Sequence, residues 1–327
     1  MKTIAGCGSL LSLALAALLV AAPVHAQAPR VVTTIAMIGD VAHNVAGDCA
    51  EIEVLMGPGV DPHLYQASAS DVRAFREADV IFYSGYSLEG QLGKVLEKMS
   101  ARKPTVAVAP ASIGPADLIT VQDVYGIDPH LWMDVSLWAR IAPTIADALG
   151  KLAPECADVM QRRADDYRRE LAALHDWIER SVASIPERQR VLVTAHDAFA
   201  YYGRAYGIEV EGIQGISTES EAGIGDIRAM VDIVVERGVP AVFIESTINP
   251  RTIEAVIEAA GRRGHEVELG GELFSDAMGE AGTPEGTYIG MLRANTLAIV
   301  AALGGASASW PRELSTWARR WGIDGDA

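Results

Sequence analysis

The sequence predicts an α/β fold of two lobes, each a small, mostly parallel sheet flanked by helices, joined by one long helix. Short apolar, β-branched runs alternate with helical stretches in both halves of the chain, which is typical of βαβ units. A segment without internal Pro or Gly, Pro154 to Ile185, separates these halves. The length of 327 residues suits about two domains.

The first lobe is expected to span residues 27–150. Apolar runs predict strands, and the stretches between them predict helices. The strands are Val31–Met37, Ile52–Met56, Asp79–Ser84 and Thr105–Ala109, and the helices are 39–47, Ser68–Glu77, Leu88–Met99 and Val135–Leu149. Ser68 or Ser70 could cap the second helix and Asp134 the fourth, because their side chains accept hydrogen bonds from backbone N–H groups at a helix start. Pro143 predicts a kink or a break in the fourth helix.

The linking helix is predicted over residues 151–186. Its apolar residues recur at spacings of three and four, which places them on one helical face. They are Met160, Ala164, Tyr167, Leu171, Leu174, Ile178 and Val182. At ~1.5 Å per residue, roughly 30 residues give a rod about 45 Å long. Such a rod would hold the two lobes at a nearly fixed angle.

The second lobe is expected over residues 187–305 and repeats the alternation of strands and helices. The strands are Val191–Thr194, Ile208–Ile213, Pro240–Glu245 and His265–Leu269, and the helices are 196–206, Glu221–Arg237, 250–263 and Pro284–Leu303. A tail, residues 306–327, contains Trp310, Trp317 and Trp321. These indoles could pack on a lobe or form an exposed patch, and we expect packing, since large exposed apolar patches are uncommon on soluble monomers.

Residues 1–26 have the pattern of a signal peptide. Lys2 precedes an apolar run from Leu10 to Ala22, and small-residue cleavage sites follow. The run is too short to span a membrane, so an exported, periplasmic protein is expected. A formal net charge of −16 and a pI near 4.8 argue against nucleic acid or an anionic membrane surface as a partner. After export two cysteines remain, Cys49 and Cys156, which we expect to be unpaired or only incidentally paired.

The tetrapeptide Asp-Pro-His-Leu occurs twice, at 61–64 and at 128–131. In both copies a proline stiffens the chain just before a histidine, His63 or His130. His196 and Asp276 follow strands of the second lobe. All four residues therefore lie on the C-terminal side of a predicted strand, where α/β sheets bind ligands. A cleft between the lobes would bring them together as a metal site.

Three imidazoles and one carboxylate suit Zn²⁺, Mn²⁺ or Fe²⁺, and do not suit Cu(I) or an iron–sulfur cluster. Four protein ligands would fill a tetrahedral zinc shell and leave no position for water, which favours binding over hydrolysis. Glu245 ends a strand and could hold an imidazole by a hydrogen bond, or act as a rival ligand. The other histidines have no second ligand at metal spacing or leave with the signal peptide. They are His25, His43, His175 and His265.

Four segments resemble the TroA-like family of metal receptors, which are solute-binding proteins of ABC importers with a helical backbone between their lobes. These segments are 61–63, 128–134, 194–199 and 270–278, and the resemblance runs from about Val31 to Leu303. It implies that His63, His130, His196 and Asp276 are the ligands of one ion per chain. It also implies a monomeric receptor that captures the ion in the periplasm and passes it to a membrane permease.

The resemblance bears on the metal in two ways. Family members tuned for manganese often carry Glu at the third ligand position, where this chain has His196. Many zinc receptors carry a loop rich in His and Asp before the second ligand, and residues 110–128 contain no His. A nitrogen-rich site prefers Zn²⁺ to Mn²⁺ by the Irving–Williams order. Zinc is therefore expected, with manganese as the alternative.

Two other functions fit parts of this pattern. A periplasmic metallochaperone or an adhesin could share the fold and the site and differ only in its partner. A zinc-dependent hydrolase would use Glu245 or Asp197 as a general base and would need an open coordination position. The sequence contains neither a His-Glu-x-x-His helix nor a Gly-x-Ser-x-Gly elbow, so we expect a binding protein and not an enzyme.

Overall fold

The computed structural model describes residues 28–122 and 126–323, so the predicted signal peptide and the last four residues of the tail lie outside the described residues. The strands are β1 Arg30–Ile35, β2 Glu51–Met56, β3 Val80–Tyr83, β4 Thr105–Ala107, β5 Val191–His196, β6 Glu209–Gln214, β7 Ala241–Glu245 and β8 Glu268–Leu273. The helices are α1 Ala36–Ala46, α2 Ala69–Glu77, α3 Gly90–Met99, α4 Val108–Ser112, α5 Val135–Trp138, α6 Ile141–Leu152, α7 Ala157–Ala183, α8 Ala200–Tyr206, α9 Ile224–Arg237, α10 Arg251–Arg262, α11 Tyr288–Ala302 and α12 Ser315–Arg320. Parallel sheets flanked by helices, with a long helix between two halves, confirm the predicted fold class.

The first half forms one parallel sheet in the order β2-β1-β3-β4. Its central strand β1 is buried from Val31 to Ile35, as expected for a strand covered on both faces. Ser68 caps α2 in a capping box with Asp71. The single helix predicted over 135–149 is two helices, α5 and α6. Pro143 lies in the first turn of α6, where its missing N–H would have had no partner within the helix.

The second half contains two two-stranded parallel sheets, β5–β6 and β7–β8, where one sheet was expected. The last strand covers Glu268–Leu273 and not 265–269, so Gly270 and Gly271 lie inside the strand. The β7–β8 pairing shifts register at this point. A Cβ on Gly270 would lie 2.5 Å from the Phe243 ring, so only glycine lets the two strands approach here.

Helix α7 contains 27 residues and is therefore about 40 Å long. It is shorter than predicted because residues 154–156 form a separate turn before it. The predicted apolar face is buried, with Trp177 added to it. This face contacts α1 and α6 of the first half and α8 and α11 of the second. The helix therefore supports both halves from one side, while the exact domain limits remain a prediction.

A disulfide joins Cys49 and Cys156, 107 residues apart, with their Cα atoms separated by 6.3 Å. It connects the segment after α1 to the residue that precedes α7. The Arg163 guanidinium reinforces the junction by donating to the Ala46 carbonyl over 2.6 Å. The two cysteines are thus a specific tie between the first half and the long helix, in contrast to the expectation that they are unpaired or only incidentally paired.

The tail packs, as expected, but its main contacts are with the long helix and not with a lobe. The Trp310 ring lies edge-on to Trp177, with the ring centroids 4.9 Å apart. The Trp177 indole donates to the Ala308 carbonyl over 2.8 Å, and the Trp317 indole donates to the Thr287 hydroxyl over 3.0 Å. Among the described helices, none combines the length and the apolar character needed to cross a membrane.

Candidate metal centre

The structure brings together all four residues singled out as metal ligands. One ligand atom from each of His63, His130, His196 and Asp276 lies within 4.8 Å of the others, and the four side chains are buried. Two of the residues come from the first half and two from the second. The site therefore lies where the two halves meet, at the C-terminal side of their strands.

Different local structures hold the four side chains. His63 lies in the loop after β2, where its backbone N–H donates to the Asp61 carboxylate over 2.8 Å. His130 precedes a short helical turn at 131–133. His196 is the last residue of β5, paired with Gln214 of β6, and does not begin a helix as predicted. The strand continues because residues 191–196 are all buried, and α8 starts only at Ala200.

The spacing of the ligand atoms matches a first-row metal ion. His63 Nε2 lies 3.3 Å from His130 Nε2 and 3.6 Å from Asp276 Oδ2. Asp276 also lies 3.4 Å from His130 Nε2 and 3.3 Å from His196 Nε2. Ligand atoms at about 2.0–2.1 Å from a tetrahedral ion are separated by about 3.3–3.4 Å. The observed separations of 3.3–3.6 Å are close to this range, so the four side chains could converge on one ion.

Two carboxylates orient the imidazoles from behind. Glu245 Oε2 lies 2.6 Å from His196 Nδ1, and Glu245 Oε1 accepts from the His196 backbone N–H over 2.8 Å. Asp128 Oδ1 lies 2.8 Å from His130 Nδ1. Each contact leaves Nε2 facing the cluster, which is how metal-binding histidines are usually held. Two roles were considered for Glu245, a hydrogen-bond partner of an imidazole and a rival ligand, and its contacts match the first. Sequence reasoning missed Asp128, although its place in the Asp-Pro-His repeat was a signal.

Burial and neighbouring charges shift the pKa values of all four side chains in the cluster. Burial opposes the imidazolium form of His130, but Asp128 and Asp276 outweigh it and raise its pKa to about 9. Burial likewise opposes charge on His196, yet Glu245 and Asp276 raise its pKa well above the usual value. Burial lowers the pKa of His63 to about 4. Burial would raise the pKa of Asp276, but the charges and hydrogen bonds of His196 and His130 hold it well below its usual range.

The Trp132 side chain lies beside the site and contacts residues from both halves of the chain. Trp132 Nε1 donates to the Ser275 carbonyl over 2.8 Å, and the Trp132 ring lies edge-on to His130 with centroids 5.3 Å apart.

Two of the other histidines, His175 and His265, have partners outside the cluster. His175 Nδ1 contacts the Tyr206 hydroxyl at 3.2 Å, and His265 Nε2 contacts the Val239 carbonyl at 2.9 Å.

Comparison with known proteins identifies the family. The model of the family described as "ZnuA: Zinc-uptake complex component A periplasmic" matches residues 31–302. The manganese-binding lipoprotein MntA of Bacillus subtilis is 45% identical over 277 residues, which cover 85% of this chain and 90% of MntA. The zinc-binding protein TroA of Treponema pallidum is 46% identical over 275 residues, which cover 84% of this chain and 89% of TroA.

The solved structure of the periplasmic zinc-binding protein TroA from Treponema pallidum has the same fold. It superposes with a TM-score of 0.82 at 45% identity and covers 85% of this chain and 99% of that one. The proteins that this chain resembles are thus binding proteins of metal-uptake systems and not enzymes. The chain belongs to the ZnuA family of TroA-like, metal-binding substrate-binding proteins of ABC importers.

Proposed function

We propose that this chain binds one divalent transition-metal ion through His63, His130, His196 and Asp276, and delivers it to the permease of an ABC importer. The observation that carries the proposal is the buried cluster of four ligand atoms, three of them imidazole nitrogens. Capture would take place after export, in the periplasm, with the protein as a monomer. The family supports delivery to an importer, since its members serve such transporters.

Zinc is the favoured ion. Three nitrogen donors prefer Zn²⁺ to Mn²⁺, and the ligand separations of 3.3–3.6 Å are close to those of a tetrahedral shell. Manganese is the alternative, because both oxygens of Asp276 lie near histidine nitrogens and a bidentate carboxylate would raise the coordination number. The relatives support either ion, since one named for manganese and one named for zinc have almost the same identity to this chain. Competition between the two ions for metal-free protein would decide.

The ligand assignment is tested by metal content. Purified protein, loaded and dialysed, should carry about one ion per chain, since the four atoms enclose one position. His130→Ala and His196→Ala should each abolish stoichiometric binding. His175→Ala is the matched control, because this histidine bonds Tyr206 away from the cluster, and it should leave the metal content unchanged. Stoichiometric metal in both cluster variants would refute the assignment.

Delivery is tested in cells. A strain lacking this protein should grow poorly when zinc is chelated, and the wild-type chain should restore growth and zinc uptake. His196→Ala, exported to the same level, should not. Equal rescue by this variant would show that import does not depend on the proposed site. Rescue under manganese limitation alone would identify manganese as the ion.

A further inference from the structure

The aspartates of the two Asp-Pro-His-Leu copies make different contacts. Asp128 Oδ1 contacts both the backbone N–H and the side-chain Nδ1 of His130. Asp61 Oδ1 accepts the backbone N–H of His63, and Asp61 Oδ2 accepts the Thr218 hydroxyl over 2.5 Å. Thr218 belongs to the other half of the chain. The first aspartate therefore ties a cluster histidine to the opposite lobe, whereas the second supports an imidazole within its own loop.

Thr218 lies in the loop 215–223 between β6 and α9, and this loop is anchored to the site. The Gln214 side chain donates to the carbonyls of Thr218 and Ser220, over 3.2 and 2.6 Å. Gln214 is in turn the β6 partner of His196. Thr218 is only 7% exposed, while its neighbour Ser220 is exposed. The Thr218 hydroxyl is thus placed by the same strand that ends next to a cluster histidine.

The backbone of His63 also packs closely against Gly90. The His63 carbonyl lies so near Gly90 that a Cβ there would be 2.6 Å from the carbonyl oxygen. Gly90 has a φ of +48°, a conformation that favours glycine. His63 is therefore held between Gly90 of its own lobe and Asp61, whose second oxygen is bound from the other lobe. Separation of the two halves at this point would have to break the Thr218–Asp61 hydrogen bond.

We propose that Thr218 is a positioning residue that slows metal release: its hydroxyl, acting through Asp61, clasps the His63 loop to the second lobe. The proposal rests on the proposed metal-binding function and deepens it. The hydrogen bond from Thr218 to Asp61 is partly buried and has a carboxylate acceptor, which makes it stronger than one between neutral groups, and it would be lost if the cleft opened. Breaking it in advance lowers the barrier to opening and so speeds release.

The experiment measures release of zinc from loaded protein into excess chelator by stopped flow. Thr218→Val, which keeps the shape and removes the hydroxyl, should speed release by roughly tenfold to a hundredfold. The variant should still bind about one ion per chain. Thr218→Ser should restore a rate near that of the wild type. Ser220→Ala, on the exposed part of the same loop, is the matched control and should leave the rate unchanged.

The route through Asp61 is tested by a double-mutant cycle. In an Asp61→Ala background, Thr218→Val should add little to the release rate, because their shared hydrogen bond is already absent. A wild-type release rate in Thr218→Val, or failure of the serine variant to restore it, would overturn the proposal. If Thr218→Val lowered the Tm of the metal-free protein but left the zinc release rate unchanged, the role of Thr218 would be purely structural, which would also overturn the proposal. Absence of bound zinc in the wild type would instead refute the proposed function itself.

Discussion

At the scale of single residues, the site depends on carboxylates that do not face the cluster centre. Glu245 and Asp128 hold Nδ1 of His196 and His130, so that each Nε2 faces inward. Asp276 lies between the imidazoles and balances their charge. In the metal-free protein, we expect protons on the imidazoles to take the place of the ion. Binding is expected to be an exchange of a metal ion for protons.

This exchange predicts how affinity depends on pH. The raised pKa values of His130 and His196 favour their protonated forms at neutral pH, whereas the lowered pKa of His63, about 4, favours its neutral form. Metal binding should then release about two protons per ion. Affinity should rise with pH up to the raised pKa of His130, about 9, and fall in acid. Calorimetry in buffers of different ionisation enthalpy measures the protons released, and a value of zero at pH 7 would contradict this charge assignment.

Glu245 should contribute through its charge. Glu245→Gln keeps a hydrogen-bond acceptor for His196 but removes the carboxylate, so we expect metal affinity to fall about tenfold to a hundredfold. The pKa of His196 should also fall toward its usual value, and fewer protons should be released on binding. Glu272→Gln, an exposed position on the neighbouring strand, is the control and should bind as the wild type does. Unchanged affinity and proton release in Glu245→Gln would exclude the supporting role.

At the scale of elements, sequence patterns located the strands and helices well and misjudged some of their ends. The sequence predicts that a helix starts at His196, but burial extends the strand to this residue. Gly270-Gly271 has the composition of a turn, yet it forms the bulge of β8 against Phe243. In both cases tertiary contacts outweigh the local signal.

The bulge of β8 makes a stability prediction. Gly270→Ala would place a methyl group 2.5 Å from the Phe243 ring and 3.0 Å from Ala302 Cβ, so unfolding free energy should fall by about 1–3 kcal/mol. Gly261→Ala is the matched control, because a Cβ at this helical position meets nothing within 4 Å. It should be neutral or stabilise by up to about 1 kcal/mol. Urea unfolding compares the two, and equal stability would count against the close approach.

At the scale of the whole molecule, the metal-ligand candidates were predictable and the ties between distant segments were not. A repeated motif and the rule that α/β sheets bind ligands at strand ends were enough to select His63, His130, His196 and Asp276. The contact between Asp61 and Thr218 joins residues 157 positions apart, and no local pattern announces it. The pairing of Cys49 with Cys156 was equally invisible, since two cysteines carry no spacing signal for their partners.

This disulfide predicts how the molecule is stabilised. Replacing both cysteines by serine should lower the free energy of unfolding by about 2–5 kcal/mol, because the bridge restricts a long loop in the unfolded chain. The metal content should stay at one ion, since the bridge contains none of the candidate ligands. Wild-type protein with and without a reductant, unfolded in urea, provides the comparison. If reductant destabilises the serine variant as much as the wild type, the bridge is not the cause.

The indole of Trp132 should act as an intrinsic fluorescence reporter of metal binding. It touches the His130 ring on one side and hydrogen-bonds beside Asp276 on the other. Replacement of the His130 proton by an ion changes the electric field at this ring, so intrinsic emission should shift in step with loading, and a Trp132→Phe protein should lose that response. A single native chromophore would then read occupancy in real time, without a dye or a label.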